Sequence, residues 1–573
     1  MRPLVEIFPI IGWLQNYHRQ TLVSDLMAGV IVAIMLIPQA MAYALLAGLP
    51  AEYGLYASIL PLFLYSLLGS SRSLAVGPVA IASLMVSTAI SQVAVQGSAD
   101  YLNAAINLSL LVGMILLFLR SLRLGSIVNF ISHSVLSGFT SAAAIVIAIS
   151  QIKHVLGLEL PRTETINQSL SGIFAHLNET NITTFILAII AFALLWYCKN
   201  KLCCQLLRLQ LPDWFAQPIC KAGPMFAVLF GAIVVWKLNL AETAAVDTVG
   251  MIPQGLPHLQ GIHIDLKLWQ QLFTPALLIA LIGFLESVSV GTALASKRQE
   301  RIDPNKELIA LGVANLGSAF SGTYPVAGGF GRSMVNHSAG AQTTIASAIS
   351  AILVAITVAF FTPLFYYLPK AVLGVIIIMA VIPLINLADF KACWRFNKAD
   401  SLTLAATFFL VLFTGVEIGI LSGIALSIAL LLYRSSQPHI AIVGRVGESE
   451  HFRNVDRHEV ATEEHTLALR VDESLYFANT RFVETFILEQ CAEHNTINHV
   501  VLICTAVNFI DASALETLEQ LIVNLRDKGI TLHLSEVKGP VMDQLSSTHF
   551  FDLLGEGQIF FTTDQAMRHL ANT

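Results

Sequence analysis

YPVAGGFGRS, from Tyr324 to Ser333, places three glycines and an arginine inside an apolar run, where a plain membrane helix would accommodate neither well. Earlier in the chain SLAVGPVAIASL, from Ser73 to Leu84, carries a comparable break at Gly77 and Pro78. Backbone exposed at membrane depth is tolerable only where it lines a cavity, because lipid offers no hydrogen bonds. Proline is accepted in a first helical turn, which has no intrahelical N–H bond to lose. The two breaks therefore read as the starts of two half-helices, each aiming free N–H groups and a positive dipole end at one point. Each end favours an anion by roughly 0.3 to 1 kcal/mol, and by about 2 when partly buried. For the glycines alone, close helix packing is the competing reading.

Outward from these breaks, composition fixes the class. Of 573 residues, 55% are hydrophobic and 12% charged, whereas a soluble domain carries roughly a quarter charged residues. Apolar runs of about 18 to 23 residues, long enough to cross a bilayer as helices, recur from Met1 to Pro438, and ordinary globular composition follows from His439. The expected organisation is a transmembrane domain over residues 1–438 and a cytoplasmic domain over 439–573. The first holds 23 Lys and Arg against 18 Asp and Glu, the second 9 against 20. So acidic a second domain gives no reason to expect nucleic acid as a partner, or attraction to anionic headgroups.

Seven cysteines, at 198, 203, 204, 220, 393, 491 and 504, show neither a paired extracellular pattern nor metal-ligand spacing. Disulfides, a metal site and a cofactor are not expected. No cleavable signal is evident. The runs resolve into about fourteen segments, and about 17 loop Lys and Arg, Arg2 among them, fall on one side against about 5, including Arg162, on the other. That bias puts both termini in the cytoplasm. Seven segments precede the polar stretch around Asn239 to Leu272 and seven follow it, with the third of each half broken in the same manner. An odd-numbered repeat used twice is inverted in the membrane, an arrangement that usually marks a transporter with its site at the midplane.

Arg332 beside the second break carries a midplane cost of roughly 2.5 to 3.5 kcal/mol, which something must offset. A helix carboxylate or snorkelling to an interface would do so, and so would a bound anion. Glu286, in GFLESVSVG, is the other isolated ionisable group in a strongly apolar run. Apolar surroundings and a neighbouring cation act on such a carboxyl in opposite senses, so its proton can come and go with the transport state. The alternative is a static partner for Arg332. In the first span Pro38 interrupts AIMLIPQAMAY, and Gln39 and Tyr43, at i and i+4, share one helix face. Each is suited to binding a ligand or to bonding a neighbouring helix.

These stretches resemble the SulP sulfate-permease family over almost the whole chain. The similarity is carried by LIPQAMAYALLAGLPAEYGLY (Leu36 to Tyr56), SRSLAVGPVAIASLM (Ser71 to Met85), ESVSVGTALASKRQERIDPNKELIALGVANLGSAFSG (Glu286 to Gly322) and GGFGRSMVNHSAGAQT (Gly328 to Thr343). The resemblance implies an all-α polytopic membrane domain with an inverted seven-plus-seven repeat and core and gate subdomains. It implies that Gln39 and Tyr43 line the site, that Val79 and Ala80 supply backbone amides, that Arg332 supplies positive charge and that Glu286 couples protons. Gly331 stands where many relatives have Ser, so a hydroxyl donor is missing. A homodimer in a bacterial inner membrane, with lipid around it, is the implied setting.

From about His465 strand and helix signals alternate: LALRV, LYFAN, a helix from Arg481 to Glu493, HVVLICTAV, a helix from Ser513 to Arg526, and ITLHLSEV. This is a small α/β pattern. It resembles the STAS domain, in which the serine corresponding to Ser513 can be phosphorylated; Asp511 and Ser513 also suit helix capping. The expected activity is sulfate:proton symport by alternating access. Bicarbonate, chloride and dicarboxylates are alternative cargoes, and an anion-sensing regulator is the reading from another class. The glycine stretch lacks the Lys of a phosphate-binding loop and no nucleophile–base constellation is apparent, so an enzyme is not expected.

Overall fold

The computed structural model describes residues 8–15, 17–126, 132–160, 166–208, 219–258, 261 and 264–571, without the side chains of residues 203, 204 and 207. Arg2 and Arg162, used above for orientation, lie outside these residues. Two compact units result, Met1–Ile424 and Ala425–Thr573.

The first unit is helical. Its principal elements are α1 (Arg19–Ala47), β1 (Val76–Gly77), α2 (Ala80–Ser91), α3 (Ala99–Ser121), α4 (His133–Leu156), α5 (Ile182–Tyr197), α6 (Gly223–Lys237), α7 (Leu266–Ser296), α8 (Pro304–Phe320), β2 (Ala327–Gly328), α9 (Phe330–Ser338), α10 (Ile345–Phe360), α11 (Lys370–Val381), α12 (Lys398–Thr414) and the start of α13 (Val416–Ser436), whose later residues belong to the second unit. Among the described residues eight helices are long and apolar enough to cross a membrane, with α2, α6 and α10 as shorter apolar helices. α5 buries Leu187, Ala188 and Ala191 yet exposes Ile182, Phe185, Ile186, Ile189 and Trp196. Apolar side chains on both faces mark a helix whose outer face meets hydrocarbon rather than water.

Two packed groups appear within this unit. α1, α2, α3, α7, α8, α9 and α10 pack on one another, and α4, α5, α6, α11 and α12 form the other group; α1 meets the second group at α6 and α11, and α2 meets it at α4. Two buried carboxylates tie distant parts of the first group together. Glu307 on α8 accepts from Tyr65 Oη (2.9 Å), Ser70 Oγ (2.7 Å) and the Ser70 and Ser71 amides (2.8 and 3.1 Å), fixing the approach to β1. Asp25 on α1 accepts from Thr343 Oγ1 (2.6 Å), the Gln342 and Thr343 amides (2.6 and 3.1 Å) and Tyr17 Oη (3.1 Å), fixing the turn before α10. A buried carboxylate is tolerable when its lone pairs are filled in this way.

Pro38 does not interrupt its helix. α1 runs continuously from Arg19 to Ala47 with Pro38 inside it, since loss of one backbone bond does not stop a long helix braced by neighbours. The cysteine expectation also needs correction: Cys220 is disulfide-bonded, its partner lying outside the described side chains, while Cys198, Cys393, Cys491 and Cys504 are free. Sequence spacing alone did not indicate that proximity.

The second unit contains β3 (Ile440–Arg445), β4 (Phe452–Asn454), β5 (Thr466–Val471), α14 (Thr480–Glu493), β6 (His499–Ile503), α15 (Ala512–Arg526), β7 (Thr531–Ser535) and β8 (Ile559–Phe560). The sheet order is β4-β3-β5-β6-β7-β8, with β5 to β8 parallel and β3 antiparallel to β4 and β5. The expected small α/β layer is present, with β3, β4 and β8 in addition. LYFAN is not a strand. Only Leu475 bridges, to Ile510, and the rest turns into α14 because Asn479 accepts from the Tyr476 amide (3.0 Å) and donates to the Ser474 carbonyl (2.8 Å). Of the two candidate caps, Asp511 caps α15 by accepting from the Ala514 amide at 2.8 Å; Ser513 sits exposed in the first turn.

Candidate functional site

The two sequence breaks meet. β1 and β2 pair antiparallel, Val76 with Gly328 and Gly77 with Ala327, so the backbone polar groups that each break frees are largely spent on the other. Polar side chains fill much of the remainder. The Gly329 amide donates to the Ala75 carbonyl (3.1 Å), Ser333 Oγ accepts from the Ala75 amide (2.9 Å), and Ser287 Oγ on α7 accepts from the Gly328 amide (2.8 Å). Asn315 on α8 holds Val326 through both its N–H (2.9 Å) and its carbonyl (3.0 Å).

α2 begins at Ala80 after the extended Val79, and α9 begins at Phe330 after the extended Gly329; neither start has a side-chain cap. Pro78 therefore lies ahead of its helix rather than in the first turn. Elsewhere in this unit Ser98, Ser132, Asn181, Asp265, Asp303 and Asn397 cap α3, α4, α5, α7, α8 and α12, while α1, α6, α10 and α11 also start without a side-chain cap. What sets α2 and α9 apart is that their uncapped starts follow the two paired breaks, and an uncapped start leaves its first-turn N–H groups available to a ligand. Val79 packs against Ala327, bringing the start of α2 to the strand that leads into α9.

Arg332 is 2% exposed and does not snorkel. Nη1 donates to the Pro78 carbonyl at 2.5 Å, while Nε and Nη2 have no hydrogen-bond partner. Glycines make this placement possible: a Cβ on Gly329 would lie 2.9 Å from Nη2, and one on Gly77 3.4 Å from it. A cation in the first turn of a helix opposes the helix dipole, and burial opposes its charge, so both effects are relieved by an anion at the same place. Tyr43, Tyr324 and Glu286 are its electrostatic neighbours. No ion pair within 4.0 Å joins Arg332 to Glu286, which is half-buried on α7.

The candidate residues thus assemble unevenly. Arg332, Tyr43, Glu286 and the start of α2 at Val79 and Ala80 converge. Gln39 is buried one turn before Tyr43 on α1 and bonds to none of them. Gly331 is exposed, with open space where a side chain would stand. Ser513 belongs to the other unit. Sequence reasoning missed Tyr324 and Ser83, two buried hydroxyls beside one another, along with the Ser287, Ser333 and Asn315 frame. The available signal was polar residues inside apolar runs. A cavity of about 480 Å³ lies elsewhere, at the far end of α2 near Ser87, Thr88, Ser91 and Gln151. It does not include the guanidinium, and the uncapped helix starts with their half-satisfied cation make the stronger candidate.

Residues 22–407 match the Sulfate permease family and residues 457–566 the STAS domain. Sulfate transporter 4.1, chloroplastic, of Arabidopsis thaliana is 36% identical over 579 residues, covering 98% of this chain and 82% of that protein. High affinity sulfate transporter 2 of Stylosanthes hamata is 30% identical over 578 residues, covering 98% and 86%. The solved structure of murine Solute Carrier 26 family member A9, an anion transporter in the inward-facing state, superposes with a TM-score of 0.91 at 24% identity, covering 99% of this chain and 94% of that one. The transmembrane domain of the cyanobacterial bicarbonate transporter BicA gives 0.59 at 22%, covering 72% and 98%. The curated relatives named here are plant proteins, one of them chloroplastic, and lend no support to a bacterial inner membrane.

Proposed function

From the premise that this chain belongs to the sulfate permease family and carries a C-terminal STAS domain, we propose that it transports sulfate together with protons. The observation that carries the reading is Arg332, buried in the first turn of α9 with Nε and Nη2 unpartnered, facing a second uncapped helix start. Two dipole ends and one guanidinium suit a small dianion better than any neutral cargo. Val79 and Ala80 offer backbone N–H groups, Gln39 and Tyr43 line the same place from α1, and Gly331 leaves space beside it.

Glu286 lies near Arg332 without a tight ion pair, an arrangement in which bound anion and bound proton favour one another. With the dianion present, the carboxyl is relieved of negative charge by protonation; with the anion gone, Arg332 favours the carboxylate. This is the electrostatic basis of symport. Gln39, Tyr43, Val79, Ala80, Glu286 and Arg332 all belong to the packed group containing α1, α2, α7 and α9. Movement of that group against α4, α6 and α11, in an elevator-like manner, would carry the site between sides. We further propose both termini in the cytoplasm, residues 1–438 and 439–573 as the two functional domains, a homodimer in lipid, and Ser513 as an exposed regulatory position. The chain acts as a carrier and not as an enzyme.

The test is uptake of labelled sulfate into proteoliposomes under imposed pH and sodium gradients, with bicarbonate, chloride and dicarboxylates as competitors. Accumulation driven by an inward proton gradient supports the reading. Stimulation by sodium alone overturns the coupling, and binding without accumulation would assign the chain to anion sensing.

A further inference from the structure

Among the described residues, eight buried side-chain nitrogen and oxygen atoms lack a hydrogen-bond partner, and four of them surround the two helix starts: Arg332 Nε and Nη2, Tyr324 Oη and Ser83 Oγ. The guanidinium already has a place in the proposed site; the two hydroxyls do not. Tyr324 is fully buried, Arg332 and Tyr43 are its electrostatic neighbours, and the Ser83 hydroxyl lies close to its oxygen at a geometry short of a full hydrogen bond, which leaves the phenol proton without an acceptor. Its backbone is held rigidly, since its carbonyl accepts from Ser318 Oγ at 2.5 Å and Asn315 clamps Val326 two residues on. A phenol buried without an acceptor is costly and is retained where an acceptor arrives.

We propose that Tyr324, assisted by Ser83, is a specificity-determining donor for a tetrahedral oxyanion, standing in for the hydroxyl that is absent at Gly331. The inference rests on the sulfate reading above and deepens it. Helix ends and a guanidinium attract a spherical halide as well as an oxyanion. A rigid phenol is directional: it rewards an acceptor oxygen in one position, and a tetrahedral dianion presents four. Tyr324 Oη thus selects for oxyanions over chloride, while Arg332 supplies charge to either.

The test is equilibrium binding of labelled sulfate to the purified full-length protein, with chloride as competitor, for wild type, Arg332→Ala, Tyr324→Phe, Ser83→Ala and the double change Tyr324→Phe with Gly331→Ser. Tyr324→Phe is expected to weaken sulfate about tenfold, equivalent to about 1.4 kcal/mol, with chloride competition within about twofold of wild type. Ser83→Ala is expected to cost about threefold, and carries the test if Tyr324→Phe does not fold. Gly331→Ser should recover most of the loss, because a side chain there meets nothing within 4 Å. Sulfate affinity within about twofold of wild type in both single hydroxyl variants overturns the inference, as does an equal loss for sulfate and chloride. Wild-type protein that binds no sulfate overturns the underlying transport reading instead.

Discussion

The first interrupted segment runs from β1 through extended Val79 into α2, and the second from β2 through extended Gly329 into α9; both helices start without a side-chain cap. The backbones are alike and paired to one another. At the third helical residue they diverge, with Ala82 in one and Arg332 in the other. Repetition supplies two paired breaks, each followed by an uncapped helix start, and a single position supplies the charge. The neutral copy also restrains the charged one, because its Pro78 carbonyl accepts from Arg332. Had both copies carried arginine, two buried cations would have repelled one another where one suffices.

Removing the asymmetry should have the largest effect. Arg332→Ala leaves two neutral breaks, and sulfate affinity in an equilibrium binding assay is expected to fall by more than about 100-fold, the scale of breaking a buried charge interaction. Retained affinity would take Arg332 out of the site. Next, Glu286→Gln removes the half-buried carboxyl near that charge. Uptake driven by a proton gradient is expected to drop about tenfold or more while sulfate exchange persists; an unchanged pH dependence would refute coupling through this residue.

The glycines sharpen the comparison further. Gly329→Ala places a Cβ 2.9 Å from Arg332 Nη2, displacing the guanidinium, and should weaken sulfate binding about tenfold with little change in melting temperature. Gly77 adopts φ of +156° and its Cβ would meet the same atom at a comfortable 3.4 Å. Gly77→Ala should therefore act mainly through backbone strain, lowering stability by about 1 kcal/mol with affinity changed less than in Gly329→Ala. The reverse ranking would contradict the account of how the copies differ.

The smallest effect is expected outside both breaks. In the second unit burial, then the neighbouring His499 and His569, hold His533 down to about 4 from its ordinary 6.5. The folded form binds this proton less readily than the unfolded one, so its stabilising contribution is full above about pH 6.5 and declines as pH falls towards 4. The protection factors of the β6 and β7 amides in the full-length protein, taken relative to intrinsic exchange at each pH, should fall across that window. Unchanged protection factors would remove His533 as the cause.

Much of the candidate site was legible in the sequence because its physical signals are local and costly. Glycine and proline inside apolar runs mark freed backbone, and a lone arginine or glutamate there demands a partner. The contrast is with residues whose meaning depends on distant contacts. Glu307 bonds Ser70 across 237 positions, and Asp25 bonds Thr343 across 318. Tyr324 in an apolar run reads as core until its unpartnered hydroxyl is seen beside Arg332. Pro38 reads as a break, yet its helix continues because neighbours support it. LYFAN has strand composition, but Asn479 bends it into a turn. The small α/β pattern was clear from β5, β6 and β7, whereas β3, β4 and β8 at or towards the edges gave too short or weak a signal.

The central claim is that both helix starts and Arg332 hold one anion. It is tested most directly by a structure of the full-length protein with selenate, located by the anomalous scattering of selenium. A single peak within hydrogen-bonding distance of the Val79–Ala80 amides and of Arg332 Nε or Nη2 is the predicted result. A peak elsewhere, with Arg332 bonded only to Pro78, would contradict it.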